Sequence, residues 1–144
     1  MITAVSLNAA VDKVYEIVDF DLNKVNRVKE MKAQPGGKGN NVAKVAKLLG
    51  ADVTASGFLG GGNGQYVHAQ LQSRGIRSEP VWIRGQTREA LNIMDPATGT
   101  QTEILEPGPE IEPAEWLALH EKVAELASKS TVVTFSGRLP KGLP

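Results

Sequence analysis

The segment Pro35–Asn41, with the sequence PGGKGNN, carries the strongest chemical signal in the chain. Its glycines let the backbone approach a ligand closely, and the N–H groups at the start of a following helix favour anionic or oxygen-rich groups. The segment is not a P-loop, because Gly-Lys is followed by glycine, and it contains no G-x-G-x-x-G that would indicate a dinucleotide site. By itself it fits either a ligand-binding loop or a glycine-rich turn that binds nothing.

Asp12 and Arg88 are the charged side chains best placed for binding. Asp12 follows the apolar segment Ile2–Leu7, and a carboxylate there can accept hydrogen bonds from sugar hydroxyls. Arg88 begins an amphipathic segment, and its planar guanidinium can donate to two phosphate oxygens at once. Taken singly, each is more often a solvated surface residue, so its weight depends on its neighbours.

The elements that must position these residues are of two kinds. Short apolar segments predict buried strands at Ile2–Leu7, Val53–Leu59 and Thr131–Phe135. Helical periodicity separates them, which is typical of a parallel α/β core. The predicted helices are one after Gly39 with Val42, Val45, Ala46 and Leu49 on its apolar face, then Asn63–Arg74, and then a helix from Pro113 to about Ser128.

Four other segments alternate polar and apolar residues and predict half-exposed strands: Lys13–Val18, Val28–Gln34, Ala90–Met94 and Gln101–Leu105. They indicate a small antiparallel sheet outside the core. The predicted fold class is therefore α/β, with a Rossmann-like parallel core and a β-sheet lid built from about residues 13–34 and 88–105. All of it lies in one unit spanning residues 1–144.

Composition excludes several classes of protein. Sixteen basic residues balance sixteen acidic ones, which argues against non-specific binding to nucleic acid or to an acidic membrane. There is no cysteine, and the two histidines lie far apart, so we predict no metal site. No segment approaches the roughly 20 apolar residues of a membrane span, and the start of the chain does not read as a signal peptide. We therefore expect a cytoplasmic protein with neither nucleic acid nor membrane as a partner.

The last predicted strand runs into a loop, Ser136–Pro144, where the sequence ends. Ligand sites of α/β proteins lie at the carboxyl ends of such strands. We therefore expect the fold to be incomplete at its C-terminus and the chain to be the N-terminal part of a larger protein.

In combination these segments resemble the phosphohexose branch of the PfkB/ribokinase family of carbohydrate kinases. The segment Gly-Gly-Lys-Gly-x-Asn is that family's N-terminal signature, and the resemblance extends over the whole chain in the family's order. The matching segments are Leu7–Asp12, Pro35–Ala43, Gly57–Gly61, Thr87-Arg88, Thr102–Pro109 and Ser136–Pro140. The resemblance implies a ribokinase-like core with a β-sheet lid.

The resemblance also implies which residues bind the substrate. Asp12 and Asn41 would hold sugar hydroxyls. Gly36 and Gly37 would let the sugar lie against the backbone.

The remaining implied residues concern the phosphate already on the substrate. Arg88 would bind it, and Lys38 would help to neutralise it. Arg27, in the lid region, could reach the site of a neighbouring subunit, since these lids often form a homodimer contact. The sequence departs from the family at Ala9, usually proline, at Asn40, usually a small apolar residue, and at Arg138, usually serine. Arg138 could add a phosphate contact or block one.

The implied reaction is phosphoryl transfer from ATP, with Mg²⁺, to a phosphorylated ketohexose. Fructose 1-phosphate is preferred over tagatose 6-phosphate as the acceptor, and a non-catalytic sugar-phosphate-binding fragment is the alternative. A Rossmann dehydrogenase fits poorly because the dinucleotide motif is missing. The family's Gly-Ala-Gly-Asp segment, which holds the catalytic aspartate and much of the ATP site, belongs to its C-terminal half. No catalytic residue is therefore assigned here, and we expect the chain alone to be inactive.

Overall fold

The computed structural model describes residues 1–143 and contains two four-stranded sheets. In chain order the elements are β1 (Ile2–Ser6), β2 (Ala10–Glu16), β3 (Glu30–Gly36), α1 (Lys38–Leu48), β4 (Val53–Gly60), α2 (Gly61–Ser73), β5 (Arg77–Ile83), β6 (Arg88–Asp95), β7 (Thr100–Leu105), α3 (Pro113–Ala127) and β8 (Val132–Phe135). No helix in this part of the chain is long and apolar enough to cross a membrane.

The core sheet has the order β5-β4-β1-β8, and every neighbouring pair runs parallel. Its central strands are apolar because helices cover both faces: α1 and α2 lie on one side, and α3 lies on the other. Ala4 and Val5 of β1 are fully buried. The predicted parallel α/β core, with strands at 2–7, 53–59 and 131–135, is confirmed.

The second sheet, which we call the lid sheet, has the order β3-β2-β6-β7. The two hairpin pairs, β2 with β3 and β6 with β7, are antiparallel as expected. The central pair is different, because β2 and β6 run parallel with Ala10 opposite Arg88. The sheet is therefore mixed and not purely antiparallel. Alternation in a sequence shows which segments are half-exposed strands, but it does not show which strands pair or in which direction.

Two of the three helices bury the face that their sequence predicts. In α2, Val67 and Leu71 are buried, and in α3, Leu119 and Leu126 are buried. These side chains fill the apolar clusters on the two faces of the core sheet.

Helix α1 differs from the prediction. Its fully buried residue is Ala43, whereas Leu49, expected inward, is 82% exposed. The helix packs on β1 through small residues at its start, so Ala43 is its most buried apolar residue. Of the four residues predicted to face the core, Val42 and Ala46 pack against it, whereas Val45 and Leu49 are exposed.

The lid sheet is fixed to the core by its far face. Tyr66 of α2 donates its hydroxyl hydrogen to the carbonyl of Ala33 at 2.9 Å, and Asn63 donates to the carbonyl of Thr87 at 2.9 Å. An ion pair between Lys13 and Glu89, 2.8 Å long, lies on the same face. The opposite face of the lid sheet is left free to line a site.

Candidate functional site

Five of the six predicted site residues meet at one cavity of about 310 Å³ between the free face of the lid sheet and the start of α1. We call it the carboxylate cavity. The predicted residues that line it are Asp12, Gly37, Lys38, Asn41 and Arg88. The sixth, Gly36, lies directly behind Asp12.

Asp12 reaches this cavity because of its register in the lid sheet. It lies opposite Gln34 of β3 and Ala90 of β6, so its side chain is on the free face. Burial raises the pKa of the Asp12 carboxyl above its ordinary value, while the nearby charges of Lys44 and Arg88 act in the opposite direction. No group among residues 1–143 donates a hydrogen bond to this carboxylate. Asp12 therefore has free acceptor capacity toward the cavity.

The glycine pair is required by the space and the backbone conformation at this point. A Cβ at Gly36 would lie 2.0 Å from Oδ1 of Asp12, which no real side chain can do. Gly37 has a φ of 91°, in the region that favours glycine, and a Cβ there would lie 2.9 Å from Oγ of Ser6. Gly37 is also the N-cap of α1 and provides no side-chain cap, so N–H groups of the first turn stay free for a ligand.

Asn40 and Lys44 hold the loop that contains these glycines. The buried Asn40 side chain donates to the carbonyl of Gly36 at 2.8 Å. The half-buried Lys44 donates to the carbonyl of Pro35 at 2.7 Å, and burial lowers the pKa of its ammonium. The amide at position 40 therefore has a structural role in this chain. Our sequence reasoning noted Asn40 only as a departure from the family pattern and did not identify Lys44.

Arg88 is fixed at the first position of β6. The preceding residue, Thr87, is buried and makes two hydrogen bonds with Gly60 at the end of β4, each 2.9 Å long. Nη1 of Arg88 donates to the carbonyl of Glu106 at 3.3 Å. Its buried Nε has no partner among the described residues. Part of the guanidinium is therefore available to a ligand.

A second cavity of about 480 Å³ adjoins the first, and Lys38 and Arg88 line both. We call it the cationic cavity, because Arg138 also lines it. Its remaining lining residues are Asn8, Leu105, Glu106, Pro107 and Gly137. Together the two cavities place a free carboxylate in the same site as three cations, which suits a ligand with hydroxyls and an anionic group.

Some lining residues were missed by sequence reasoning. Asn92 and Glu103 lie opposite each other on β6 and β7, on the same face as Asp12. Oδ1 of Asn92 is buried and has no partner in the described part of the chain. Alternation along each strand marks both residues as candidates, but only the pairing register shows that they share a face with Asp12.

Arg27 lies on an exposed loop between β2 and β3 and lines neither cavity of its own chain. Within residues 1–143, no group of three or more His, Cys, Asp or Glu side chains could hold a metal ion.

Comparison with known proteins agrees with this fold. A parallel α/β core with a second sheet is shared with the sugar kinases of the ribokinase-like class. The family described as pfkB family carbohydrate kinase matches residues 5–144, and the chain belongs to this family.

Among its relatives is tagatose-6-phosphate kinase of Staphylococcus epidermidis, 43% identical over 143 residues. The alignment covers 99% of this chain and 46% of that protein. A structure of a possible 1-phosphofructokinase from Thermotoga maritima superposes with a TM-score of 0.92 at 32% identity, covering 100% of this chain and 47% of that one. Phosphofructokinase-2 from Escherichia coli, solved with fructose-6-phosphate, superposes with a TM-score of 0.91 at 27% identity, again covering 100% and 47%. The chain thus spans about half the length of these relatives.

Proposed function

We propose that this chain forms the sugar-phosphate-binding part of an ATP-dependent kinase that converts fructose 1-phosphate to fructose 1,6-bisphosphate, a 1-phosphofructokinase. The observation that carries the proposal is the joined pair of cavities. One contains the unpaired Asp12 carboxylate, the other contains Arg138, and Lys38 and Arg88 line both. Tagatose 6-phosphate is the second candidate substrate, favoured by the 43% identity to tagatose-6-phosphate kinase.

In this proposal each end of the substrate meets complementary chemistry. The Asp12 carboxylate accepts hydrogen bonds from the sugar hydroxyls, and the Asn41 amide can accept and donate. Gly37 lets the sugar approach the backbone. Arg88 and Lys38 compensate for the water that the phosphate dianion loses on binding. ATP, accompanied by Mg²⁺, supplies the phosphoryl group, and catalysis rests mainly on positioning and electrostatics. The sequence contains no Gly-Ala-Gly-Asp segment, so we expect no turnover from the 144-residue chain by itself.

Activity is best tested in a chimera in which this chain replaces the aligned 46% of the S. epidermidis kinase. The measured quantity is kcat/KM for fructose 1-phosphate, tagatose 6-phosphate and fructose. Arg88→Ala should lower kcat/KM for the phosphosugars by about 30- to 1,000-fold, since one or two charged hydrogen bonds are lost. Arg88→Lys should lose less, because lysine keeps the charge without the planar fork. Neither variant should change the rate with fructose.

Arg84→Ala is the matched control, because it removes an exposed arginine that pairs with Glu112 outside both cavities. An equal loss on fructose and on the phosphosugars would mean that Arg88 supports the lid sheet and does not bind the phosphate. A chimera that folds but phosphorylates only unphosphorylated sugars would contradict the proposal as a whole.

We further propose that two copies pair through the lid sheet and that Arg27 of one copy reaches toward the site of the other. Apolar side chains support this, because Met31, Ile104 and Leu105 of the lid strands are all exposed in the single chain. Sedimentation velocity should show a dimer, and Ile104→Glu should shift it to the monomer. A monomer in the parent chain would contradict the pairing without affecting the substrate assignment. The cytoplasmic location stays a prediction, to be checked by cell fractionation.

A further inference from the structure

We propose that Arg138 is a specificity-determining residue that binds the phosphate of the sugar phosphate together with Arg88 and Lys38. This inference rests on the proposed function and adds a residue to it. Arg138 would give the phosphate-binding group a third positive charge beside Arg88 and Lys38.

The loop that carries Arg138 is held in place on both sides. Before it, the N–H of Ser136 donates to the carbonyl of Val5 at 3.3 Å. After it, the carbonyl of Lys141 accepts a hydrogen bond from the N–H of Ile111 at 2.9 Å. These contacts fix the backbone beside the cationic cavity, so Arg138 lines the cavity from an anchored position.

Lys38 lies next to this loop. A Cβ at Gly137 would lie 3.6 Å from Cβ of Lys38, which places the two backbones in contact. Because Lys38 is the first residue of α1, the free N–H groups and the positive end of the helix are at the same place. Arg138 therefore approaches a point where cationic groups already converge.

The charge of the cationic cavity calls for an anion. Three cations line it, against one carboxylate, Glu106, whose Oε2 already accepts a hydrogen bond from the N–H of Glu89 at 2.8 Å. Within residues 1–143, the Arg138 guanidinium has no ion pair or hydrogen bond, and Nε of Arg88 is buried without an acceptor. Three cations facing one carboxylate leave a net positive charge that a bound anion can compensate, and a phosphate monoester supplies two negative charges.

The geometry also argues against Arg138 as a residue that blocks the phosphate. The cationic cavity keeps about 480 Å³ with the arginine side chain in place. Its guanidinium is exposed at the rim, so it can close on a bound anion without first leaving the core.

The test is calorimetric titration of the whole chain with fructose 1-phosphate, inorganic phosphate and fructose. Arg138→Ser removes the charge and keeps a small polar side chain, and Arg138→Lys keeps the charge without the planar fork. We expect Arg138→Ser to weaken the binding of fructose 1-phosphate and of inorganic phosphate by about 5- to 30-fold. The binding of fructose should not change. Arg138→Lys should lie between Arg138→Ser and the parent chain. The affinity of the parent chain should also fall more steeply with salt than that of Arg138→Ser.

Arg84→Ser removes an equivalent exposed arginine and should change nothing, and circular dichroism confirms folding of each variant. If Arg138→Ser binds fructose 1-phosphate as tightly as the parent chain, or more tightly, the inference is wrong. If Arg88→Ala still weakens the phosphosugar in that case, the proposed function stands without it. If neither variant separates fructose 1-phosphate from fructose, both the inference and the proposed function fail. The same variants in the chimera, read as KM for fructose 1-phosphate, give an independent measurement.

Discussion

Replacing Gly36 by alanine tests whether the position of the Asp12 carboxylate is what binds the sugar. An ideal Cβ at Gly36 would lie 2.0 Å from Oδ1 and 2.1 Å from Cγ of Asp12. Since real Cβ atoms stay at least about 3 Å from such neighbours, the carboxylate must move by about 1 Å or more. Gly36 is not in the left-handed region of φ, so the substitution moves Asp12 without straining its own backbone.

The size of the effect follows from that displacement. A charge-assisted hydrogen bond is about 2.5–2.9 Å long, so moving the acceptor by 1 Å breaks it or turns it into a poor contact. Each such bond contributes about 1.5–3 kcal/mol, which corresponds to about 10- to 150-fold in affinity for one lost bond. Gly36→Ala should therefore weaken the binding of fructose 1-phosphate about as much as Asp12→Asn does. The double variant should be hardly weaker than either single variant, because both act on the same carboxylate.

The parent chain, Gly36→Ala, Asp12→Asn and the double variant form a double-mutant cycle. Calorimetric titration of all four with fructose 1-phosphate measures it. Gly62→Ala is the matched control, because Gly62 lies in α2 with nothing within 4 Å of its Cβ position. That control should keep full affinity and gain up to about 1 kcal/mol in the free energy of unfolding. Gly36→Ala with unchanged affinity, or losses from Gly36→Ala and Asp12→Asn that simply add, would refute the role given to Asp12.

Three further predictions concern stability. Because burial raises the folded-state pKa of Asp12 above its ordinary 3.8, the ionised carboxylate destabilises the fold at neutral pH, and Asp12→Asn should raise the free energy of unfolding near pH 7. Urea titrations should show this gain shrinking as the pH falls through the raised pKa and absent once the pH is below 3.8. Burial opposes ionisation of Asp95, but three backbone N–H groups that donate to its carboxylate hold its pKa below the ordinary value. Asp95→Ala should therefore lower the melting temperature at pH 7. If the difference in melting temperature between the parent chain and Asp95→Ala does not narrow as the pH falls through the depressed pKa, this account is wrong. Leu119→Ala should lower the free energy of unfolding by about 2–5 kcal/mol in urea titrations, because Leu119 is buried. Leu117 is exposed in the same helix, so Leu117→Ala should change that free energy by no more than about 0.5 kcal/mol. Equal losses would mean that α3 packs by another face.

Much of the fold could be predicted because burial on both faces leaves a direct mark on composition. β1 and β4 consist of apolar and small residues without a charge, and α3 shows a stripe through Leu119 and Leu126 that the structure buries. The buried face of helix α1 is harder to predict from the sequence, because its contact with β1 depends on Gly39 and Ala43. A Cβ at Gly39 would lie 2.5 Å from the carbonyl oxygen of Val5, so only glycine allows the helix to come this close. Close packing through small residues leaves Val45 and Leu49 outside, so the hydrophobic stripe predicts only part of the buried face.

The lid sheet shows the same limit for strand pairing. The hairpin of β6 and β7 follows from a local turn. Asp95 at the end of β6 pairs with Thr100 at the start of β7. The parallel pairing of β2 with β6 joins segments that are more than 70 residues apart, as in Lys13 opposite Leu91. Nothing in either segment specifies a partner so distant, because pairing over that range depends on tertiary contacts such as those of α2, which packs on β2 and reaches Glu89 of β6 through Asn63.

The sequence by itself determined the kinds of chemistry available: a glycine loop that permits close approach, a carboxylate at Asp12, a guanidinium at Arg88 and a family signature that joins them. These are properties of residue types and local spacing, which a chain carries before it folds. The tertiary structure decided that Asp12, Asn92 and Glu103 share one face and that Arg138 joins Lys38 and Arg88 around one cavity. Those contacts link residues that are distant in the chain, and strand register and loop anchoring, which only the packed fold fixes, bring them together.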